Sequence, residues 1–542
     1  MMICSRRLYK GNAYDICLPL ADSGVTLARF YTRGDVILEK EPEISGDSMC
    51  FSFTEEDLAS LEDGVLRYQV VTDYETTDTN SPYVVVTPGD YSGSTLEDLL
   101  EDAYNSGYTA GYESGYTDGQ EECRDYSRDY FTIEAMEDGQ LNVYISCEYS
   151  INDGEWETFE EPATLSLEQG DKVRFRGYLE GAEYMFSGNT IMSMVYGNIE
   201  SLEYGDDFVG KDTCFYSALM FSDYSGLTSA ENLILPATEL TFKCYFDMFA
   251  YCTNLTMAPS LPATTLAEKC YTGMFVVCER LMSAPELPAT TMADYCYSSM
   301  FSDCISLTTA PELPATALAS NCYREMFYSC TGLTAAPALP ATTLAERCYE
   351  KMFWRCSNLV EAPALPATTM AARCYERMFD SCRSLETAPE LPATILADAC
   401  YYRMFGICEN LVSAPALPVT RLSRECYCDM FVGCRNLATA PELPATTLAY
   451  ACYKSMFQGC ESLVVAPELP ATTLADSCYE YMFLGDKNLN YIKCIATDMS
   501  ASNCLIGWVQ EVSPTGTFVK ASGVEWPTGY SGIPVGWTVE EA

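Results

Sequence analysis

Cysteine is the residue type in this sequence that could carry chemistry. The 542-residue chain holds 28 cysteines and no histidine. Twenty of the cysteines fall on one 26-residue grid. The first position of the grid runs from Cys244 through Cys270 and Cys296 to Cys478, and the second from Cys252 through Cys278 to Cys460. Cys504 lies one period after Cys478. A thiolate can attack a carbon, bind zinc or close a disulfide. Each use needs something this pattern withholds. Cysteine nucleophiles need a neighbouring base, and the usual one is histidine. The same absence removes Ser-His-Asp triads and histidine-containing zinc sites, and the cysteine spacing matches no usual zinc motif. A disulfide needs Cα atoms within about 7 Å. On a helix, Cys270 and Cys278 would stand about 12 Å apart. The grid cysteines therefore read as small buried thiols in a core, in a protein made in a reducing cytosol.

No other catalytic pattern is present. There is no glycine-rich phosphate loop, no His-Glu-x-x-His, no Gly-x-Ser-x-Gly and no EF-hand loop. Carboxylates are abundant, but nothing marks a working pair, and calcium stays open without a loop that specifies it. The reading is a non-enzyme with no cofactor and no metal site. Seventy-seven acidic residues against 31 basic ones give a net charge of −46. Such a field repels phosphate backbones and anionic lipid, which excludes nucleic acid as a partner. No stretch approaches the roughly 18 apolar residues of a membrane span, so no membrane insertion is expected. Met1 to Lys10 is not followed by the apolar core of a signal peptide.

The elements that position the cysteines are set by the same period. One copy reads Cys270-Tyr271-x-x-Met274-Phe275-x-x-Cys278-x-x-Leu281-x-x-Ala284-Pro285-x-Leu287-Pro288-Ala289-Thr290. Leu266, Cys270, Met274 and Cys278 are four apart, which predicts a helix of about three turns. Leu281 to Ala284, stopped by Pro285, predicts a strand of about four residues. Cys270, Met274, Phe275, Cys278 and Leu281 form the predicted repeat core. One such unit cannot hide its apolar side, so neighbours must stack. The fold class is multi-domain: small N-terminal β-sandwich domains followed by an α/β leucine-rich-repeat solenoid, with one short strand and one helix per 26-residue unit.

This unit resembles the BspA-like leucine-rich repeat, through Tyr271, Phe275, Cys278, Leu281, Leu287 and Pro288. The copies are longer than the family's usual repeat, and the resemblance covers about half the chain. It implies a right-handed stack with a parallel sheet on one side and helices on the other.

In chain order, residues 1–88 read as a β-sandwich-like attachment domain of short β-prone runs, with one capped helix opening at Thr54. Residues 89–129 hold 11 acidic and two basic residues. Tyrosines at 104, 108, 112 and 116 alternate there with glycines at 107, 111, 115 and 119. Small residues every fourth position fit an ordered oligomeric stalk, while the helix cost of each glycine fits a flexible linker. Residues 130–200 read as a second small β domain, with hairpin signals at Asp138-Gly139 and Asp153-Gly154. This stretch is similar to a domain that often precedes such repeats in proteins of gut Bacteroidales and their phages. Residues 201–486 are the repeat solenoid, beginning with a degenerate copy. Residues 487–542 lose the period and read as a C-terminal cap over the last unit.

The remaining functional handle is the variable outer surface. Tyr328, Trp354, Asp380 and Gln458 occupy one equivalent position; Arg324, Glu350, Tyr402 and Lys454 occupy another. Tyr328, Trp354 and Tyr402 are the candidate contact surface, because large outward aromatics favour partners over water. Glu286, Glu312, Glu390, Glu442 and Glu468 form an acidic ladder beside the strand. The expectation is an adhesion or structural protein: a phage tail-fibre or receptor-binding protein, made in the host cytoplasm and carried on the virion. Its partners would be a host surface receptor or glycan, other virion proteins through the N-terminal domain, and further copies of itself as a homo-oligomer. The alternative is a BspA-like adhesin on a bacterial cell surface.

Overall fold

The structure, a computed structural model, describes residues 126–158, 162–177, 184–214 and 217–542, with the backbone of Phe159 and of nine strands between residues 6 and 87. It divides into two units, Met1–Asp125 and Tyr126–Ala542. The first unit contains β1 (Arg6–Tyr9), β2 (Tyr14–Pro19), β3 (Val25–Thr32), β4 (Asp35–Lys40), β5 (Glu43–Ser45), β6 (Ser48–Phe53), β7 (Gly64–Thr72), β8 (Thr76–Thr77) and β9 (Val84–Thr87). One sheet runs β1-β9-β7-β3-β4, with β8 on β7, and the other runs β2-β6-β5. The β1–β9 pair is parallel. The predicted helix near Thr54 and the glycine–tyrosine tetrad lie outside the described residues.

The second unit opens with β10 (Thr132–Ala135), β11 (Gly139–Val143), β12 (Cys147–Ile151), β13 (Glu157–Phe159), β14 (Ala163–Leu167), β15 (Lys172–Arg176) and β16 (Ser193–Asn198). Asp153-Gly154 sits in the β12–β13 hairpin. Asn152 and Asp153 both take positive φ, and the Gly154 N–H closes the turn on the Ile151 carbonyl at 2.9 Å. Asp138-Gly139 instead carries the chain between sheets, because β11 pairs with β14 and not with β10. After α1 (Ser201–Tyr204), β17 (Leu227–Ile234) pairs in parallel with β16. The sheet thereby passes into the first coil of the repeats.

The repeat coils from Cys244 onward contain no helix, which corrects the predicted fold class. Ser201–Tyr204 is the one α-helix among the described residues. From Cys270 to Cys278 the backbone is a ribbon of linked turns. Met274, Val276 and Cys278 donate N–H to the carbonyl three residues back, at 3.0–3.2 Å. Between them, Tyr271, Gly273, Phe275 and Val277 donate to Cys296, Ser298, Met300 and Ser302 of the next coil, at 2.8–3.0 Å. Lys269, Gly273 and Val277 have φ of 59°, 61° and 59°, and every coil repeats this four-residue rhythm. A positive φ at every fourth residue breaks the four-back hydrogen bonding of an α-helix. It also turns alternate N–H groups outward to the neighbouring coil. The predicted strand shrinks to single parallel bridges. Ser283↔Thr309 and Ala335↔Glu361 lie along the Leu-x-x-Ala segment, and Thr265↔Thr291 and Ala317↔Thr343 lie along the Ala-Thr-Thr segment. The prolines of Ala-Pro-x-Leu-Pro deny these segments the N–H groups of a longer ladder.

Each coil lies on the last, so equivalent side chains make columns. Phe221, Phe249, Phe275 and their successors stack to Phe483, with ring centroids 5.2–5.8 Å apart. A parallel tyrosine column runs from Tyr245 to Tyr479 at 5.7–6.1 Å. Cys270, Met274, Phe275, Cys278 and Leu281 are wholly buried. The second-position thiols bridge coils: Cys278 Sγ donates to the Phe249 carbonyl at 3.1 Å, and Cys304, Cys330 and Cys356 repeat the contact. At the far end Trp508, also wholly buried, closes both columns, 6.4 Å from Tyr479 and 6.2 Å from Phe483. Its indole N–H donates to the Gly532 carbonyl at 2.9 Å. At the near end the expectation of thiols alone needs correction. Cys214 and Cys244 form a disulfide, with Cα atoms 6.5 Å apart. Cys214 replaces the leucine or methionine found four residues before each first cysteine, so it reaches the next coil and not its own.

Candidate ligand-binding face

The turn ribbon presents two residues of every four to the core and two outward. The outward pairs are freed from packing, and there the coils differ. On the coils of Cys322 to Cys400 they gather seven cations: Arg324, Arg347, Lys351, Arg355, Arg373, Arg377 and Arg403. Six carboxylates share those positions: Glu325, Glu346, Glu350, Glu376, Asp380 and Asp398. In a chain of net charge −46 this is a local reversal of sign.

Trp354 stands at the centre, half-buried. Lys351 and Arg355 both hold their charge 5.2 Å from its ring centre, and Arg377 holds its own at 5.4 Å. A cation this close to an indole is attracted by the negative ring face. Tyr328 meets Trp354 edge-on at 5.1 Å and accepts a hydrogen bond from Arg355 at 3.1 Å. Arg377 also lies 5.8 Å from the ring of Tyr402. The structure thus brings Tyr328 and Trp354 into contact and links Tyr402 to them through Arg377. All three aromatics are half-buried rather than open, because the neighbouring cations cover them.

The carboxylates below these cations are largely paired. Lys351 binds Glu325 at 2.8 Å, Arg373 binds Glu376 at 2.8 Å and Arg403 binds the buried Asp380 at 2.6 Å. Burial still pushes the Asp380 carboxyl above its usual range, with Arg403 holding it partly down. Burial likewise raises Glu350 against the pull of Arg324. Tyr402 is pushed up to about 12, by burial and then by the Asp429 carboxylate.

Beside Tyr402 the face opens into a cavity of about 340 Å³, lined among others by Arg377, Ala399, Tyr402, Glu425, Asp429 and Ala451. The opposite, proline-rich face has a shallower groove of about 430 Å³ at Ala338, Leu339, Pro340 and Ala364. It lies where Ala338 and Ala364 interrupt the acidic ladder. Glu286, Glu312, Glu390, Glu442 and Glu468 are all exposed there, and Glu468 pairs with Lys493. Among the described residues no group of three or more candidate ligands could hold a metal ion, and no helix is long and apolar enough to cross a membrane.

Compared with family models, with curated proteins and with solved structures, the chain gives no match.

Sequence reasoning found the three aromatics and missed Arg355, Arg377 and Ala399. A signal for them was present. Basic residues collect at the outward positions of three consecutive copies, and the arginine that precedes Cys348 and Cys374 gives way to alanine before Cys400.

Proposed function

We propose that this chain is a non-enzymatic adhesion protein of the tail-fibre or receptor-binding type, carried on a phage virion, whose coil stack contacts the host cell surface. The observation that supports this is the Trp354 cluster. Aromatic rings and cations concentrate on one outward face of an otherwise acidic chain, and such residues dominate recognition surfaces. The N-terminal unit would dock to other virion proteins, and several copies would assemble together. The repeat also keeps the motif residues of a BspA-like unit, which fits a surface built for contact. A second reading, a bacterial surface adhesin, is favoured by the Cys214–Cys244 disulfide, because such bonds persist in exported proteins.

Labelled protein applied to a panel of gut Bacteroidales strains tests the reading. Wild-type protein should decorate intact cells of at least one strain. The Trp354→Ala/Arg355→Ala double variant should bind at least tenfold more weakly while melting at the same temperature. Decoration of no strain removes the proposal. Native protein found anchored on uninfected cells transfers it to the adhesin.

A further inference from the structure

The cavity next to the Trp354 cluster narrows the class of ligand that an adhesive surface here would take. It exists because the repeat omits a side chain. The residue before each first cysteine is Arg347, Arg373 and Glu425 in three coils but Ala399 and Ala451 in two others. Those two alanines leave the space of about 340 Å³. Arg377 lines it, the same arginine that packs against Trp354 and Tyr402.

The cavity is lined by three cations and three carboxylates, so its formal charges balance, but not every one of them is paired. Of the three cations, Arg373 is bound to Glu376 at 2.8 Å and Lys454 to Glu480 at 3.1 Å. Arg377 stands in no ion pair among the described residues, and its Nε has no hydrogen-bond partner. Of the three carboxylates, Glu376 is taken by Arg373, Glu425 faces Arg424 at 3.2 Å, and Asp429 interacts with the Tyr402 hydroxyl. Arg377 is the lining cation that no carboxylate among the described residues pairs with; its guanidinium lies 5.4 Å from the Trp354 ring and 5.8 Å from the Tyr402 ring and donates a hydrogen bond to the Tyr402 hydroxyl. It calls for an anion, and a planar carboxylate fits its donor fork. The carboxylates of Glu425 and Asp429 restrict which anion enters. They repel a doubly charged phosphate but accept hydrogen bonds from hydroxyl groups. The volume lies within the range of small-molecule sites.

Building on the adhesion reading, we infer that this cavity binds a carboxylated sugar of the uronic acid type on the target surface, with the carboxylate on Arg377 and ring hydroxyls on Glu425 and Tyr402.

Calorimetric titration of the full chain with sodium glucuronate, glucose and inorganic phosphate tests this. Glucuronate should bind at least tenfold more tightly than either of the other two. Arg377→Ala and Ala399→Arg should each weaken it at least tenfold. Arg347 and Arg373 already occupy the equivalent backbone position at φ of 55° and 56°, against 53° for Ala399, so Ala399→Arg should fold while filling the cavity. Equal binding of glucose, tighter binding of phosphate, or glucuronate binding that survives both substitutions overturns the assignment. Absent glucuronate binding by a protein that still decorates cells sinks the sugar and leaves the adhesion reading standing. Glucuronate binding by a protein that decorates no cell does the reverse.

Discussion

Asp486 stands where nine preceding coils carry their second cysteine, and it is wholly buried. In those coils a thiol donates to a phenylalanine carbonyl of the coil before. A carboxylate cannot donate; only the protonated acid can. One oxygen of Asp486 accepts the Cys460 N–H at 2.8 Å, and the other has no partner. Burial pushes this carboxyl well above the usual range, and the N–H groups of Cys460 and Gly459 offset only part of the shift. A folded-state pKa above the unfolded value, about 4, means full stability below that value and a loss as pH climbs toward the folded one. Asp486→Asn keeps the shape and needs no proton. It should therefore stabilise the chain by about 1–3 kcal/mol at pH 8 and have little effect at pH 4. Thermal melts of both proteins across that range check it. An identical difference at the two ends, or a lower melting temperature for the variant at pH 8, would show that Asp486 is charged and accommodated.

At the scale of the element, the sequence disclosed which residues face inward and not what backbone carries them. Cys270, Tyr271, Met274, Phe275 and Cys278 satisfy a helical stripe, and they satisfy equally a ribbon of turns with a period of four. Over eight residues the two patterns differ by less than the width of an apolar stripe. What separates them is backbone sign, which side-chain polarity does not report. The one trace is glycine, at Gly273 and again at Gly433, Gly459 and Gly485, all in positive-φ positions. Elsewhere those positions hold Lys269, Ser299 or even Val277, so the trace is faint. The short strand failed for a related reason: Pro285 and Pro288 mark strand ends in the sequence, and they also limit pairing inside the segment. A sign change distinguishes the two backbones. In a helix, Val277→Gly would cost several tenths of a kcal/mol to 1 kcal/mol. At φ +59° a branched side chain is strained by about 1–2 kcal/mol, so glycine should leave stability unchanged or raise it. Urea unfolding of the two proteins decides it, and a loss of about 0.5 kcal/mol or more would favour the helix.

Across the second unit, stability is a sum over stacked coils, because each coil touches mainly its neighbours. The 26-residue period made that stacking legible in the sequence, but the ribbon runs one coil beyond residue 486, where the sequence motif is lost, with positive φ at Asn503, Gly507 and Glu511. The aromatic columns were not legible as stacks, since their 5–6 Å spacing follows from coil-to-coil hydrogen bonds that sequence does not show. The consequence is an end problem: Phe483 and Tyr479 would present bare ring faces and unpaired N–H and carbonyl groups without Trp508. The Cys214–Cys244 bond fastens the opposite end. Trp508→Ala removes a wholly buried indole that also holds Gly532, at a cost of about 3–5 kcal/mol. In a quasi-linear stack that loss should release the cap and leave the remaining coils folded. The freed ends should then pair, giving species heavier than the wild-type assembly in light scattering. Net charge of −46 opposes the encounter, so the heavier species should grow as salt rises from 0.05 to about 0.5 M and the Debye length shrinks. A variant that unfolds in one step with the whole stack, or that stays at the wild-type mass at every salt concentration, would mean that Trp508 is one more core residue and the end is closed by something else.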